Sequence, residues 1–282
     1  MAECVDMRRA VRRAFDRAAP NYDGAAGVQR EICDRLAALI ELHPPPEPPR
    51  CVADAGCGTG NGLDVLARHF PDAVRLAIDF APAMLQQARS HDTARPLCAD
   101  LQALPLAAHS LDAVWSSLAL QWCDAQRALD EFARVLRPGG TAWIATLGPD
   151  TLRELREAFQ AVDDEEHVLR FRHFDEWAGM ARRAGFEVLL ERRERTCVLA
   201  EELRGVIAHL KGIGAHRIGE APRRALRRPE WRALEQAYEN HRRNDGLLPA
   251  TYDVILLTLR RPAAGSPAKQ AQAGVPGFPG SR

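Results

Sequence analysis

The segment D-A-G-C-G-T-G-N-G, Asp54 to Gly62, constrains this chain more than any other. It follows the apolar start of CVADAG at Cys51 and leads into a helical pattern from Gly62 to His69. Glycines at 56, 58 and 60 let the backbone turn tightly and approach a ligand where a side chain would block it. The strand-turn-helix setting is the one such motifs require. The spacing departs from the dinucleotide fingerprint G-x-G-x-x-G, because the third glycine comes one residue early and an acid precedes the first. An acid beside the loop makes a poor pyrophosphate cradle and suits a ligand that carries an ammonium group. A glycine-rich turn with no ligand is the plainer alternative.

Strand-like runs recur at Val74 to Phe80, Pro96 to Asp100, Leu111 to Leu118 and Gly140 to Leu147, with helical patterns at Ala81 to Ser90 and Ala125 to Leu136. Strands alternating with helices predict a mostly parallel sheet covered on both faces. Arg-Pro-Gly-Gly at Arg137 to Gly140 reads as a helix stop. Helices are predicted around Asp150 to Ala161 and Phe174 to Ala184, and strands from Phe186 and from Thr251 to Arg261. Upstream, Ile32, Leu36, Leu39 and Ile40 recur at helical spacing in Val28 to Leu42, and HPPPEPPR from His43 ends that helix as a stiff linker. The basic stretch from Met1 to Phe15 is interrupted by Glu3 and Asp6 and is read as ordinary protein, not a targeting helix.

The expected organisation is an N-terminal helical cap with its proline-rich linker at 1–50, a core at 51–199, a helical inserted lobe at 200–245, the final core strand at 246–261 and a disordered tail at 262–282. Glycines at 212, 214 and 219 would let the lobe move as a lid. The tail is rich in Pro, Gly, Ala and Ser.

Composition narrows the function classes. Across 282 residues, 38 Lys+Arg balance 38 Asp+Glu, which disfavours nucleic-acid binding by bulk charge. No apolar run reaches the roughly 18 residues of a spanning helix, so no membrane role is expected. Seven cysteines without C-x-x-C argue against a disulfide framework or zinc ribbon and for a reducing, cytoplasmic compartment. The histidines show no H-x-x-x-H grouping, so no metal is expected.

Two further acids stand at strand ends. Asp79 closes VRLAIDF, where a carboxylate can accept from both hydroxyls of a ribose, although it also precedes a helix that it could cap. Asp100, followed by Leu101, can receive an adenine amino group while the next backbone N–H serves a ring nitrogen. DAGCGTG, Asp79, the Ala99-Asp100 pair and RVLRPGG from Arg134 together resemble the class I S-adenosylmethionine-dependent methyltransferases. That resemblance implies an α/β, Rossmann-like sheet of seven strands with the last one antiparallel. It assigns Asp54 and Gly56, Gly58 and Gly60 to the amino-acid end of S-adenosylmethionine, Asp79 to the ribose, and Asp100 with Leu101 to the adenine.

The acceptor is a separate question, because fold and cofactor do not determine it. SSLALQWC, Ser116 to Cys123, normally faces the transferring methyl, and it holds no N-P-P-Y and no His or Lys base. A carboxylate acceptor, ionised at neutral pH, needs no base. FDRAAPNYD from Phe15, LALQWC, TLGPDTLRELREAF from Thr146, LKGIGAHR from Leu210 and PATYDVILL from Pro249 are similar to the malonyl-acyl carrier protein O-methyltransferase (BioC) family of biotin synthesis. The resemblance implies methyl esterification of the free carboxylate of a malonyl thioester on acyl carrier protein or coenzyme A. It puts Tyr22 over the cofactor, with Gln121 and Trp122 along the acceptor channel. By position, Arg170, Arg172, Lys211 and Arg217, with His209 and His216, are the candidates for holding the malonyl carboxylate. Arg223, Arg224, Arg227 and Arg228 offer a basic surface for an acidic carrier protein. The competing expectations are methylation of another small carboxylate, and a cofactor-binding assembly factor without turnover.

Overall fold

The structure is a computed structural model that describes residues 2–88, 94–213 and 226–263. Three helical pieces come first: α1 (Ala2–Ala18), α2 (Tyr22–Ala25) and α3 (Gly27–Leu42). The core then alternates β1 (Cys51–Ala55), α4 (Asn61–His69), β2 (Val74–Asp79), α5 (Pro82–Ala88), β3 (Ala94–Cys98), β4 (Leu111–Ser117), α6 (Ala125–Val135) and β5 (Leu136–Leu147). It continues through α7 (Arg153–Phe159), α8 (Phe174–Arg183), β6 (Glu187–Ala200), α9 (Leu203–Gly212), α10 (Arg228–Glu239) and β7 (Leu248–Arg260).

The sheet has seven strands in the order β3-β2-β1-β4-β5-β7-β6, with β7 antiparallel to both neighbours and the β1 to β5 pairs parallel. This is the fold class expected from the alternating pattern. Ile32, Leu36 and Leu39 of α3 pack with Leu66 of α4 on one face, against Trp115, Trp143 and Leu256. Leu129 and Phe132 of α6 and Trp177 of α8 cover the other, against Val114, Ile144 and Leu257. The alternation of Leu256 and Leu257 between faces is the period-two geometry of a strand buried on both sides.

Several boundaries shift from expectation. β3 begins two residues earlier, so Asp100 lies beyond the strand end and not within it. Arg137 to Gly140 is not a break between helix and strand: α6 ends at Val135 and β5 starts at once, with Gly139 at φ 83° and a bulge where Leu111 pairs Leu136 but Ala113 pairs Thr141. A bulge absorbs extra residues without ending pairing, which no local propensity announces. The start of α6 was legible, since Asp124 accepts from the backbone N–H of Gln126 at 3.1 Å and of Arg127 at 3.3 Å.

The segment expected as an inserted lobe is described at 200–213 and 226–245. α9 and α10 share one apolar cluster with α7 and the start of β7, through Leu155, Val206, Leu210, Leu234 and Leu248. Gly212 is needed there for close approach, because a Cβ would collide with the Cβ of Ala25 where α9 meets α2. Gly214 and Gly219 lie outside the described residues, as does the tail from 264.

Candidate functional site

Successive strands are added outward in one direction from β1 to β3 and in the other from β4, and the crevice beyond the carboxyl ends of β1 and β4, where the order reverses, is where α/β sheets bind ligands. A cleft of about 710 Å³ lies there, lined by Gly56 and Gly58 after β1, Asp79 ending β2, Asp100 and Leu101 after β3, and Ser117 ending β4. Four strand ends converge on it because successive parallel strands, joined through covering helices, all point the same way.

The loop's glycines carry the strain of this turn: φ is 83° at Gly56, 51° at Gly58 and 108° at Gly60. A Cβ on Gly56 would collide with that of Ala119 on the facing strand end, and one on Gly62 would fall 2.5 Å from Asp54 Oδ2. Asp79 is both brace and cap. Its Oδ2 accepts from Gly58 N–H at 3.0 Å and its Oδ1 from Ala81 N–H at 2.8 Å, and the Phe80 N–H bonds the same carboxylate. Asp100 Oδ1 accepts from the backbone and side chain of Gln102 at 2.9 and 3.0 Å, which fixes the carboxylate's orientation at the cleft.

Asp54 and Gly60 do not line the cleft. Asp54 is 1% exposed, and its Oδ2 has no hydrogen-bond partner among the described residues. Burial, reinforced by Asp79, pushes its carboxyl up to about 8, and burial pushes Asp79 up to about 6 against the lowering effect of its backbone bonds. Two acids this close and this dry resist double ionisation unless a cation joins them.

A second chamber of about 570 Å³ adjoins the first, and both share Phe15, Tyr22, Leu118 and Trp122 as walls. Phe15 packs edge-on against Trp122, with ring centroids 5.4 Å apart and planes at 87°. The second chamber takes Gln29 and Gln121 and otherwise mostly apolar residues, including Leu147, Leu169 and Phe171. Leu118 and Leu152 on its walls adopt φ of 56° and 53°, a region costly for a side-chain-bearing residue. Each is held by its amide, Leu118 N–H to Ala145 O at 2.8 Å and Leu152 N–H to Thr251 O at 2.7 Å. The loop carrying Leu152 is pinned further by the buried Asp253, which accepts from Asp150 N–H at 3.1 Å and from Arg193 Nε at 2.7 Å.

The N-terminal segment roofs both spaces. Asp23 accepts from Thr59 Oγ1 in the glycine loop at 2.6 Å, and Asp16 accepts from Ala83 N–H of α5 at 3.1 Å. Burial and the nearby Asp79 and Asp23 push the Tyr22 phenol up, so it stays protonated at the junction of the chambers. Phe15 is the roof residue that sequence reasoning passed over. Its signal was present, because Val11, Ala14, Phe15 and Ala18 recur at helical spacing in an arginine-rich segment.

The positional cations fare differently. Val168, Leu169 and Phe171 turn into the second chamber, whereas Arg170 and Arg172 are exposed and pair with Glu166 and Glu176. In an extended segment alternate residues face opposite ways, so inward apolar neighbours force the arginines out. Lys211 is exposed on α9 and lines neither chamber. His209 stands behind the second chamber with Nε2 2.9 Å from Tyr252 Oη. Arg227 and Arg228 are exposed at the start of α10, and His216, Arg217, Arg223 and Arg224 lie outside the described residues. Among the described residues one grouping of metal-ligand type, Asp163, Glu165 and His167, lines neither chamber.

Comparison with known proteins places this geometry. Residues 53–144 match a family profile described as a methyltransferase domain. YcgJ of Bacillus subtilis superposes with a TM-score of 0.55 at 14% identity, over 82% of this chain and 100% of that one. The [4+2]-cyclase SpnF superposes at 0.51 with 24% identity, over 82% of each chain. Because a cyclase shares the architecture, the fold alone does not decide the chemistry. Sequence relatives do more. A malonyl-[acyl-carrier protein] O-methyltransferase of Laribacter hongkongensis is 44% identical over 90% of this chain and 89% of its own. One of Dechloromonas aromatica is 43% identical over 89% and 94%. With identity of this level sustained along nearly the whole of both chains, the chain belongs to the malonyl-[acyl-carrier protein] O-methyltransferase family.

Proposed function

We propose that this protein transfers the methyl group of S-adenosylmethionine to the free carboxylate of a malonyl thioester on acyl carrier protein, forming the methyl ester that primes pimeloyl and biotin synthesis. The supporting observation is the pair of adjoining chambers that share the wall of Phe15, Tyr22, Leu118 and Trp122. One has the glycine floor and strand-end acids that suit a cationic nucleoside, and the other is mostly apolar and suits a short acyl arm. Asp79 receives the ribose on the acceptor capacity that its backbone bonds leave, and Asp100 with the Leu101 amide receives the adenine. Asp54, buried and with its Oδ2 unbonded among the described residues, supplies negative charge beneath the loop for the ammonium end.

When bound, the sulfonium supplies an electrophilic methyl group. An acceptor carboxylate is already ionised, so no residue of this site would need to act as a general base. The surrounding side chains exclude water, and loss of two opposite charges in the reaction favours a dry, preorganised site. The shared aromatic wall aligns the two reactants. The same reading places the protein in the cytoplasm, where the described cysteines, all free, remain thiols.

The test is purified protein with labelled S-adenosylmethionine and malonyl-acyl carrier protein, malonyl-coenzyme A or free dicarboxylates. Label should enter an ester of the malonyl thioesters. Cofactor binding with no esterified thioester in any condition would reject the proposal, and preferential labelling of a free dicarboxylate would favour the other small-carboxylate reading. Charge reversal at Arg223, Arg224, Arg227 and Arg228 should slow turnover of the carrier protein more than that of coenzyme A, and equal slowing removes the docking role.

The roof makes a further prediction. Asp23→Ala removes the bond to Thr59 Oγ1, which with the Asp16–Ala83 bond and the Phe15 ring contacts holds the N-terminal segment over the cleft. Cofactor dissociation, followed by stopped-flow displacement, should speed up about fivefold, as expected for loss of about 1 kcal/mol. An unchanged rate means that the roof is held elsewhere.

A further inference from the structure

Tyr252 was expected only as the start of the last strand, yet it is 2% exposed on the wall of the second chamber, and its hydroxyl sits 2.9 Å from His209 Nε2. The two rings meet edge-on, with centroids 6.1 Å apart and planes at 85°. The His209 ring also interacts with the backbone of Ala25. A ring N–H committed to that carbonyl leaves Nε2 of the neutral imidazole as an acceptor, so the phenol proton points to His209 and its oxygen offers lone pairs elsewhere. Adding a proton to the ring reverses the bond. Nε2–H then donates to the phenol oxygen, and the phenol O–H is free to donate to a ligand.

The same atom of the chamber wall can therefore present an acceptor or a donor, according to one proton on His209. Burial holds the ring below its ordinary value, which keeps it neutral until a negative charge arrives. No charged group contributes to that shift. Asp23 of α2 is occupied by Thr59, Asp253 of β7 by Arg193, and Lys211 and Arg204 of α9 itself are exposed. Among the described residues, the titratable neighbours of Tyr252 are Tyr22, which acts on it from the junction of the chambers, and the buried Tyr238. The thioester's carboxylate is an anion on entry, and its ester is neutral.

We propose that the Tyr252 hydroxyl receives the acceptor's carboxylate and that His209 takes up a proton as it binds. This rests on the proposed malonyl-thioester activity. In the reaction the carboxylate oxygen forms the bond to the methyl carbon and the carbon–sulfur bond breaks with its electron pair on sulfur. The carboxylate's charge disappears, and His209 returns its proton to solvent. Tyr252 then turns its proton back to His209, which removes the hydrogen bond to the product and favours ester release. His209 is a positioning residue, acting through Tyr252.

Calorimetry tests this with protein loaded with sinefungin, an analogue with an amine in place of the sulfonium, titrated with malonyl-pantetheine in two buffers of different ionisation enthalpy at about pH 7.5. Binding should take up close to one proton, and the methyl ester of the same thioester should take up none. His209→Gln and Tyr252→Phe should lose the uptake while retaining the parent's melting temperature and sinefungin affinity. In turnover Tyr252→Phe should raise KM for the thioester about tenfold, more than it lowers kcat, as for a lost hydrogen bond to a charge. No uptake by the parent, equal uptake with the ester, or undiminished uptake in His209→Gln overturns the inference. If the thioester is methylated without proton uptake, only this inference fails; if it is not methylated at all, the proposed function fails and the inference falls with it.

Discussion

Asp79→Ala should weaken binding of S-adenosylhomocysteine at least about 100-fold, with a correspondingly large rise in KM for S-adenosylmethionine. Two hydrogen bonds to a carboxylate, at roughly 1.5–3 kcal/mol each, are the direct loss. The indirect loss is positional, because Asp79 Oδ2 also holds the Gly58 amide and its Oδ1 the Ala81 amide. Without them a loop whose glycine φ angles all lie in the left-handed region has one brace fewer. Asp79→Asn separates the two contributions. It keeps the shape but turns an N–H donor toward one of those amides, so it should bind as poorly as Asp79→Ala. Calorimetric titration decides the matter: affinities within threefold of the parent in both variants would confine Asp79 to capping α5.

Cofactor affinity should fall about tenfold for each unit of pH below about 8 and more steeply below about 6, as each acid must lose its proton to hold the ligand. The thresholds follow from Asp54, pushed up to about 8, and Asp79, pushed up to about 6. Stability of the ligand-free protein runs the other way. Both carboxyls lie above their ordinary value of 3.8, so the folded state binds more protons than the unfolded one. Their contribution is fully present below about pH 4 and is lost as pH rises through about 6 and about 8. The melting temperature of the free protein should therefore drop from about pH 4 to about pH 8 and level off above, and saturating cofactor should flatten that drop because it binds the ionised form. Affinity that stays level between pH 6 and pH 8 would mean that Asp54 is already ionised in the free protein. The sign also separates the two sites, since cofactor binding releases protons while acceptor binding to the Tyr252–His209 pair takes one up.

Legibility followed the locality of the interactions. The helix ending at Leu42, the glycine loop and the strand-end acids were each visible in a few consecutive residues, because a strand, a tight turn and a helix N-terminus are built from neighbours. Asp79 shows the limit of such reading: ligand acid and helix cap looked like alternatives, and the carboxylate has oxygens enough for both. Asp54 shows another, since its place in the motif is unmistakable but its burial behind the loop depends on Trp115 and Gly62 packing around it. Arg170 and Arg172 were reasonable cations by position, and the inward turn of Leu169 and Phe171 sends them to solvent.

The residues alone were enough for a mostly parallel sheet covered on both faces and for acids gathered at its strand ends. Crossover connections set β1, β2 and β3 side by side, and likewise β4 and β5, so residues a strand and a helix apart in the chain become neighbours. Only the tertiary structure decided the second chamber. Its walls come from Phe15 of α1, Gln29 of α3, Phe171 before α8, Leu210 of α9 and Tyr252 of β7. No periodicity links such segments. They meet because α9 docks beside α2 and β7 returns antiparallel between β5 and β6, and that convergence brings the Tyr252 hydroxyl to His209.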